Sequence, residues 1–462
     1  MNLKKFIVLI LLFPATVWGQ RDELELNDFL SIVLKNHPIA KQYEYRIQST
    51  KWQITSAKGQ FDPKLNSRFY QKQFNDKEYF SLWNNSVDLH TRSPFGVYGG
   101  FDQSSGQYLN NQEFLPDGGL IYGGVSVAVG KGMFIDERRA ALQIAKESVE
   151  LTINEQEQLI NELKFNATKT YIDWVFNFNR LEIVREMRSI AKERFDLLKI
   201  LVDIGERPGI DTVEAKIQLQ LRDIDLNEAT NDIRNTRLKL SVFLWTESME
   251  PAELLETVVP NFELEEIELN QITADSLKNN LTNLFNTNPY LRSFQNKLSI
   301  LEIEQRWKKE QLKPTFNIRY NLLNEPVGNF NDRWSTNNYT FGADFSFPLF
   351  LRKERAEMKI NLLKISDINA EYSYKKISFE NYLNQIYNDY TILNEQYVLI
   401  NDIYENYRLL TEAEKLKFSS GESSLFMINA RENSLIEAQT KRLKFLADIQ
   451  KNIALWNFIT GS

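Results

Sequence analysis

Two stretches of this chain run for 72 residues each without glycine or proline: residues 133–204, between Gly132 and Gly205, and residues 349–420, between Pro348 and Gly421. An uninterrupted run of that length is a helix of about 70 residues, on the order of 105 Å at 1.5 Å per residue. Globular helices average about 11–12 residues, so these two lie far outside the ordinary range. A second breaker-free run follows each, over Ile210–Glu250 and Glu422–Thr460, and predicts a helix returning beside the first. The turns fall at Gly205-Glu206-Arg207-Pro208-Gly209 and at Ser419-Ser420-Gly421-Glu422-Ser423-Ser424. Apolar residues recur at coiled-coil spacing. Leu181, Val184, Met187, Ile190, Ala191, Phe195, Leu198 and Val202 form one stripe, and Ile386, Tyr390, Leu393, Tyr397 and Ile400 another. Taken alone, these segments also fit an extended soluble coiled coil.

The chain repeats itself. Pro63-Lys64-Leu65-Asn66-Ser67-Arg68-Phe69 returns as Pro314-Thr315-Phe316-Asn317-Ile318-Arg319-Tyr320, and His37-Pro38 upstream is matched at the same offset by Asn288-Pro289. Gly205-Glu206 recurs as Gly421-Glu422, and Leu244-Trp245 as Leu455-Trp456. Four kinds of landmark in one order predict two large units in tandem. Shorter breaker-free segments, Ile39–Lys58 and Tyr290–Lys313, precede the proline landmarks. Each half thus reads short helix, strands, long helix out, helix back.

After each proline landmark the period changes to two. Phe316, Ile318, Tyr320 and Leu322 alternate with Thr315, Asn317, Arg319 and Asn321. Phe341, Ala343, Phe345 and Phe347 then alternate with Gly342, Asp344 and Ser346, with Pro326-Val327-Gly328-Asn329 as the turn between. The first half follows suit with Leu65, Ser67 and Phe69 against Asn66, Arg68 and Tyr70, then Val125, Val127 and Val129 against Ser126 and Ala128. One apolar and one polar face over about 9–11 residues is the signature of a transmembrane β-strand beside a watery lumen. A half-buried sheet on a soluble domain gives the same alternation; aromatic content and export favour the membrane. An open sheet edge cannot sit in hydrocarbon, and a closed barrel needs at least about eight strands. Two strands in the second half and two to four in the first do not close, so several copies must combine. Three copies of four strands give twelve, or eighteen if an additional pair from the first half inserts.

Export is read from the N-terminus. Lys4 and Lys5, the apolar Phe6–Phe13 and the small-residue site Val17-Trp18-Gly19 before Gln20 form a signal peptide over residues 1–19. That run is too short to span a bilayer, where about 20 residues are needed. The chain has no cysteine, which leaves no disulfide framework, thiol metal site or lipid-bearing cysteine. Loss of Lys4 and Lys5 takes the formal charge from −7 to about −9, without long single-sign blocks, which argues against nucleic acid. With only His37 and His90 as imidazoles, neither beside other ligands, no metal site or serine–histidine triad is expected. His37, before Pro38, reads as a residue that opens a helix. Gly130-Lys131-Gly132 lacks the phosphate-loop spacing and reads as a strand-to-helix turn. No catalytic residue and no cofactor are expected.

On the tandem order, the two tip motifs and Phe347-Pro348-Leu349-Phe350 followed by Arg352–Ala356, the chain resembles the TolC-like outer-membrane efflux channels over nearly its whole length. The resemblance implies an α+β membrane protein: a homotrimeric β-barrel in the outer membrane, continued by an α-helical barrel through the periplasm. It implies an exit duct for an efflux pump or type I secretion system, passive, and opened when a periplasmic adaptor and an inner-membrane transporter dock. A non-conducting coiled-coil scaffold spanning the envelope is the alternative. The expected layout is a first repeat over 20–250 (strands about 63–130, hairpin about 133–250), a linker over 251–274, and a second repeat over 275–462 (strands about 314–348, hairpin about 349–460).

In the family's tip motif a glycine is followed by an aspartate and then an alanine, and Gly205, Asp211 and Ala215 fit, with Glu214 beside the alanine. The second tip departs: Gly421 reaches Ala430 one residue early, with Phe426, Met427 and Asn429 between. Asp211, Glu214 and Asn429 are therefore the candidates for the periplasmic entrance, although Asp211 equally suits a helix N-terminus. Gly205, Glu206, Gly209, Gly421 and Glu422 are the candidate adaptor-docking tips. Asn66, Arg68, Asn317, Arg319 and Asp344 are the candidate lumen-facing strand residues. A second departure is length, with fifty-odd residues between Phe69 and Tyr122. The surplus holds Val87-Asp88-Leu89-His90 and Val97-Tyr98-Gly99-Gly100-Phe101-Asp102, either an extracellular rim or two more membrane strands.

Overall fold

The computed structural model describes residues 23–262, 264, 272–326 and 334–461. The expected signal segment, the middle of the 251–274 linker and residues 327–329 of the expected turn lie outside them. The elements run β1 (Glu23–Glu25), α1 (Leu26–Asn36), α2 (Pro38–Gly59), β2 (Lys64–Phe74), β3 (Lys77–His90), β4 (Phe95–Ser105), β5 (Leu120–Ala128), α3 (Glu137–Asp203) and α4 (Gly209–Ser241). They continue with β6 (Val259–Asn261), α5 (Ala274–Thr287), α6 (Pro289–Glu310), β7 (Thr315–Asn324), β8 (Tyr339–Ser346), α7 (Arg352–Ser419) and α8 (Leu425–Thr460). No described helix is long and apolar enough to cross a membrane.

The two breaker-free runs are single helices of 67 and 68 residues. Two compact units divide the chain: one holds the described residues to Tyr45, Glu155–Tyr290 and the chain from Lys375; the other holds Arg46–Asn154 and Leu291–Tyr374.

The first unit is helical. Its core joins Phe29 and Val33 of α1, Tyr171, Trp174 and Val175 of α3, Ile233 and Leu240 of α4, and Leu443, Leu446 and Ala447 of α8. Each buried side chain of this size contributes about 1.5–3 kcal/mol relative to exposure. Tyr171 stacks on Phe29 with centroids 5.7 Å apart, and its hydroxyl donates to the Leu24 carbonyl at 2.6 Å. Burial pushes the Tyr171 pKa far above the usual phenol range, so the hydroxyl remains a donor. The second stripe holds as well: Leu383, Ile386, Tyr390 and Ile400 are buried along α7.

His37 ends α1 and stands one residue before α2. Its ring accepts from the Ile39 amide at 3.2 Å and donates to the Val242 carbonyl, and burial lowers its pKa. Asn288, its counterpart in the repeat, donates to the Ile459 carbonyl at 2.8 Å. Both residues tie a helix start to the end of a returning helix. One boundary is corrected: the helix expected to reach Glu250 stops at Ser241. Leu244 is buried in the core, Trp245 bridges Pro251, and Met249 takes a φ of 61°, so tertiary capture rather than a breaker ends it.

The second unit carries an antiparallel sheet of six strands in the order β2-β3-β4-β5-β7-β8. Asn75 and Asp76, both at positive φ, make the two-residue turn between β2 and β3, the geometry that matches strand twist. The surplus of the first half is the pair β3 and β4, which lies within the sheet between β2 and β5. β2 and β8 are its two edges.

Candidate functional site

Two regions carry the candidate residues. In the sheet, register sorts side chains by face, since opposite partners share one. Asn66 lies opposite Ser86, Arg68 opposite Asn84, Ser126 opposite Arg319, and Asn317 opposite both Ala128 and Asp344. Following these pairs across all six strands places Asn66, Arg68, Asn317, Arg319 and Asp344 on one face, together with Asp88 and Asp102. The groups are linked: Asn66 donates to Asp88 at 2.7 Å, Asn84 donates to Asp102 at 2.9 Å, and Arg319 lies 4.0 Å from Asp344.

The opposite face is apolar on every strand. Leu65 and Phe69 are followed by Trp83 and Val87, Val97 and Phe101, Val125 and Val127, Ile318 and Tyr320, then Phe341 and Phe345. Among the described residues nothing covers it at the edges, where Leu65 is 76%, Phe69 62%, Phe341 62% and Phe345 68% exposed. Polar residues also lie on this face, Gln71, Ser81, Gln103 and Asn324 among them; two others, Ser67 and Asn85, satisfy each other, Ser67 donating to Asn85 at 2.7 Å and accepting from the Trp83 indole at 3.1 Å.

The second region is the pair of helix turns. Gly205 and Gly421 adopt φ of 82° and 80°, a conformation only glycine takes freely. The Gly205 amide donates to Val202 and Glu206 to Leu201, while Gly421 donates to Phe418 and Glu422 to Lys417. Both long helices therefore end in the same glycine motif. Glu206, Gly209 and Glu422 are exposed around them. Leu198, Ala215 and Leu425 pack the two turns together with Phe195, Leu201 and Phe418, and Arg207 lies over the Phe418 ring at 5.0 Å.

A polar chain spans this cluster. The Asn429 amide donates to Glu214 at 3.3 Å, and its oxygen accepts from Arg194 at 3.1 Å. Arg194 grips Glu432 with two hydrogen bonds of 2.8 and 2.6 Å, and Lys415 stands 3.7 Å from Glu432. Arg222 donates to Asn433, and Ser423 to Glu414. Of the entrance candidates, Glu214 and Asn429 thus meet directly, and Asn429 is buried. Asp211 stands apart, in the first turn of α4 at 4.0 Å from Arg207; the N-cap itself is Pro208, which offers no side-chain acceptor.

Sequence reasoning did not single out Arg194 and Glu432. Their signal is positional: Arg194 adjoins Phe195 on the apolar stripe that runs from Leu181 to Val202, three residues after Ala191, and Glu432 follows Leu425 and Ile428 at helical spacing. Charges on a buried stripe are retained only when paired. Among the described residues no acidic or histidine cluster could hold a metal.

With these two regions described, the fold is similar to that of solved outer-membrane channels, the likeness that the sequence resemblance led one to expect. The chain is similar to the CmeC outer-membrane channel of Campylobacter jejuni, with a TM-score of 0.66 and 12% identity over 97% of this chain and 90% of that one. It is similar to the MtrE outer-membrane channel of Neisseria gonorrhoeae in its open state, with a TM-score of 0.67 and 12% identity over 95% and 89%. The outer-membrane protein VceC of Vibrio cholerae matches at 0.62 and 12% identity over 95% and 96%. At this identity the likeness is one of fold. No family model and no curated protein matches the chain.

Proposed function

We propose that this protein is a passive channel of the cell outer membrane, the exit duct of an efflux pump or type I secretion system, with its helical hairpins in the periplasm. The observation that carries the reading is the sheet: six strands with one mainly apolar face and one charged face, and two edges, β2 and β8, that pair with no further strand among the described residues. Such a sheet suits a barrel wall between lipid and water, and fewer than about eight strands cannot close one. A non-conducting scaffold has no use for that face. The likeness of fold to outer-membrane channels supports the same conclusion.

In this reading the chain is two tandem repeats, 20–250 and 275–462 with a linker between, and it assembles as a homotrimer. Exposed apolar stripes favour assembly: Ile210, Val213, Ile217, Leu221 and Ile224 on α4, and Ile392, Leu399, Ile403 and Leu410 on α7, each at helical spacing. The turns around Gly205 and Gly421 dock a periplasmic adaptor, which links the duct to an inner-membrane transporter. Asp211, Glu214 and Asn429 belong to the entrance, and separation of the hairpins opens it. The energy comes from the partners, and the chain itself performs no catalysis. Native mass measurement in mild detergent tests the assembly: three chains per particle are expected, and a folded, membrane-inserted single chain refutes it.

A further inference from the structure

The strand ends that lead into the helices carry a second pattern, whose meaning rests on the outer-membrane reading above. At this end of the sheet β2 and β7 begin, β5 and β8 finish, and β3 turns into β4. Beyond β5, the Val129 amide still donates to the Phe316 carbonyl at 2.8 Å, and the chain then exposes Met133 and Phe134 before α3. Beyond β8 it exposes Leu349 and Phe350 before α7. Phe134 and Phe350 stand at equal distances before Gly205 and Gly421, so one position of the repeat is occupied twice by phenylalanine. The two are 73% and 70% exposed. Each ring nonetheless holds a cation: the Lys313 ammonium lies 4.4 Å from the Phe134 centroid, and the Arg352 guanidinium 5.1 Å from that of Phe350. A bare ring with a cation on it suits a membrane interface, where the ring enters the acyl boundary and the cation stays with the headgroups.

Charge differs between the two ends of the strands. At the helix end the connections carry Arg92, Lys131 and Lys313, with Lys64 opening β2 and Arg352 and Lys353 opening α7. At the far end the described residues of the connections carry Asp76, Glu113, Asp117 and Glu325 and no cation. Among the described residues Lys131, Arg352 and Lys353 form no ion pair. Several carboxylates beside them are already engaged. Glu310 accepts from the Phe134 amide at 3.1 Å and pairs with Lys313 at 2.7 Å, Asp136 accepts from the Arg139 amide at 2.8 Å, and Glu357 pairs with Lys308 at 2.7 Å. Asp62, Glu137 and Glu354 are the others at this end. Because β7 lies between β5 and β8, the strand ends that lead to the two ring–cation pairs are about 10 Å apart.

We propose that the helix end of the sheet docks anionic phospholipid of the adjacent membrane leaflet. Phe134 and Phe350 enter the acyl boundary, and Lys131, Lys313, Arg352 and Lys353 take the phosphates of neighbouring headgroups. Arginine offers a fork of donors to a phosphate and lysine a compact charge, and their excess over free carboxylates selects a headgroup of net negative charge over a zwitterionic one. The far end, with carboxylates alone in its described connections, makes no such site. The sheet therefore gathers anionic phospholipid in one leaflet only, around the junction where the strands become the long helices.

Native mass spectrometry of the whole protein, taken from mixed micelles holding equal phosphatidylglycerol and phosphatidylcholine, counts the lipid that stays bound. Retention is expected to favour phosphatidylglycerol by at least about fivefold, the effect of one cation beside an anionic surface, and the preference is expected to fall as salt rises. Lys131→Gln with Arg352→Gln and Lys353→Gln is expected to abolish the preference. Lys199→Gln with Lys216→Gln and Lys239→Gln removes the same charge from exposed positions on the hairpins and is expected to leave it in place. Phe134→Ser with Phe350→Ser is expected to lower retention of both lipids alike. Equal retention of the two lipids by the parent, or a preference that survives the first triple variant, overturns the proposal and leaves the channel reading standing. Loss of preference in the hairpin variant overturns it in favour of net charge. Displacement of phosphatidylglycerol by inorganic phosphate, beyond that by chloride at equal ionic strength, overturns it in favour of a free phosphate site. A parent preference that is indifferent to salt overturns it even where the first triple variant does not fold. Particles that hold no lipid and stay dispersed without detergent overturn the channel reading as well.

Discussion

Arg194 to methionine is the most informative single change at the hairpin tips. Arg194 and Glu432 are 16% and 13% exposed at their side chains, and the arginine holds the Asn429 oxygen as well as both carboxylate oxygens. Removing one partner of a buried bidentate pair costs about 3–5 kcal/mol, because the other charge is left desolvated. Lys415 at 3.7 Å stays to compensate Glu432 in part, which brings the expected loss to about 2–3 kcal/mol. At about 1.36 kcal/mol per tenfold, local opening of the tips becomes roughly 30- to 150-fold more frequent. Hydrogen exchange of the amides at residues 198–202 and 425–432 reads that factor. The double variant Arg194→Met, Glu432→Leu removes both charges and is expected to recover to within about 1 kcal/mol of the parent, as apolar replacements of buried pairs do. Unchanged exchange in the single variant, or a double variant as fast as the single, refutes the view that this pair fastens the two hairpins.

Gly205→Val and Gly421→Val force a branched residue into the left-handed region, at roughly 1–2 kcal/mol each, with no steric neighbour to clash; native mass should stay at three chains while export is lost, and normal export in the double variant counts against tip docking. Asp211→Asn with Glu214→Gln should alter single-channel conductance and weaken cation preference, and a change confined to melting temperature assigns both residues to helix stability alone. Burial holds the His37 pKa below its ordinary value near 6.5, so its contribution to stability is complete above that pH and declines as pH falls below it. The melting temperature should therefore drop between pH 7 and 5, and His37→Asn should flatten that slope; an equal slope in both proteins removes His37 as the cause.

Much of this fold is written in local spacing. The glycines at 205 and 421 bound α3 and α7 because nothing upstream interrupts either helix, and alternation at 315–322 and 339–346 exposes β7 and β8 directly. The five polar strand residues fall on one face because a period of two leaves no other choice once pairing begins. Other features depend on partners far along the chain. The end of α4 at Ser241 is set by Leu244 and the Trp245–Pro251 bridge, where no breaker stands. Alternation in β3 and β4 reveals two faces but not which strands they join, so their insertion between β2 and β5 was not legible. The parallel pair β1 and β6 consists of three-residue strands, too short for any period. Arg194 and Glu432 lie 238 residues apart, and only the packing of one hairpin against the other makes their charges complementary.

Single-channel recording of the purified protein in a planar bilayer separates a conducting duct from a scaffold. Discrete, reproducible conductance steps are expected from particles that contain three chains. Folded, helical protein that associates with the bilayer and yields no conductance at any protein concentration contradicts it.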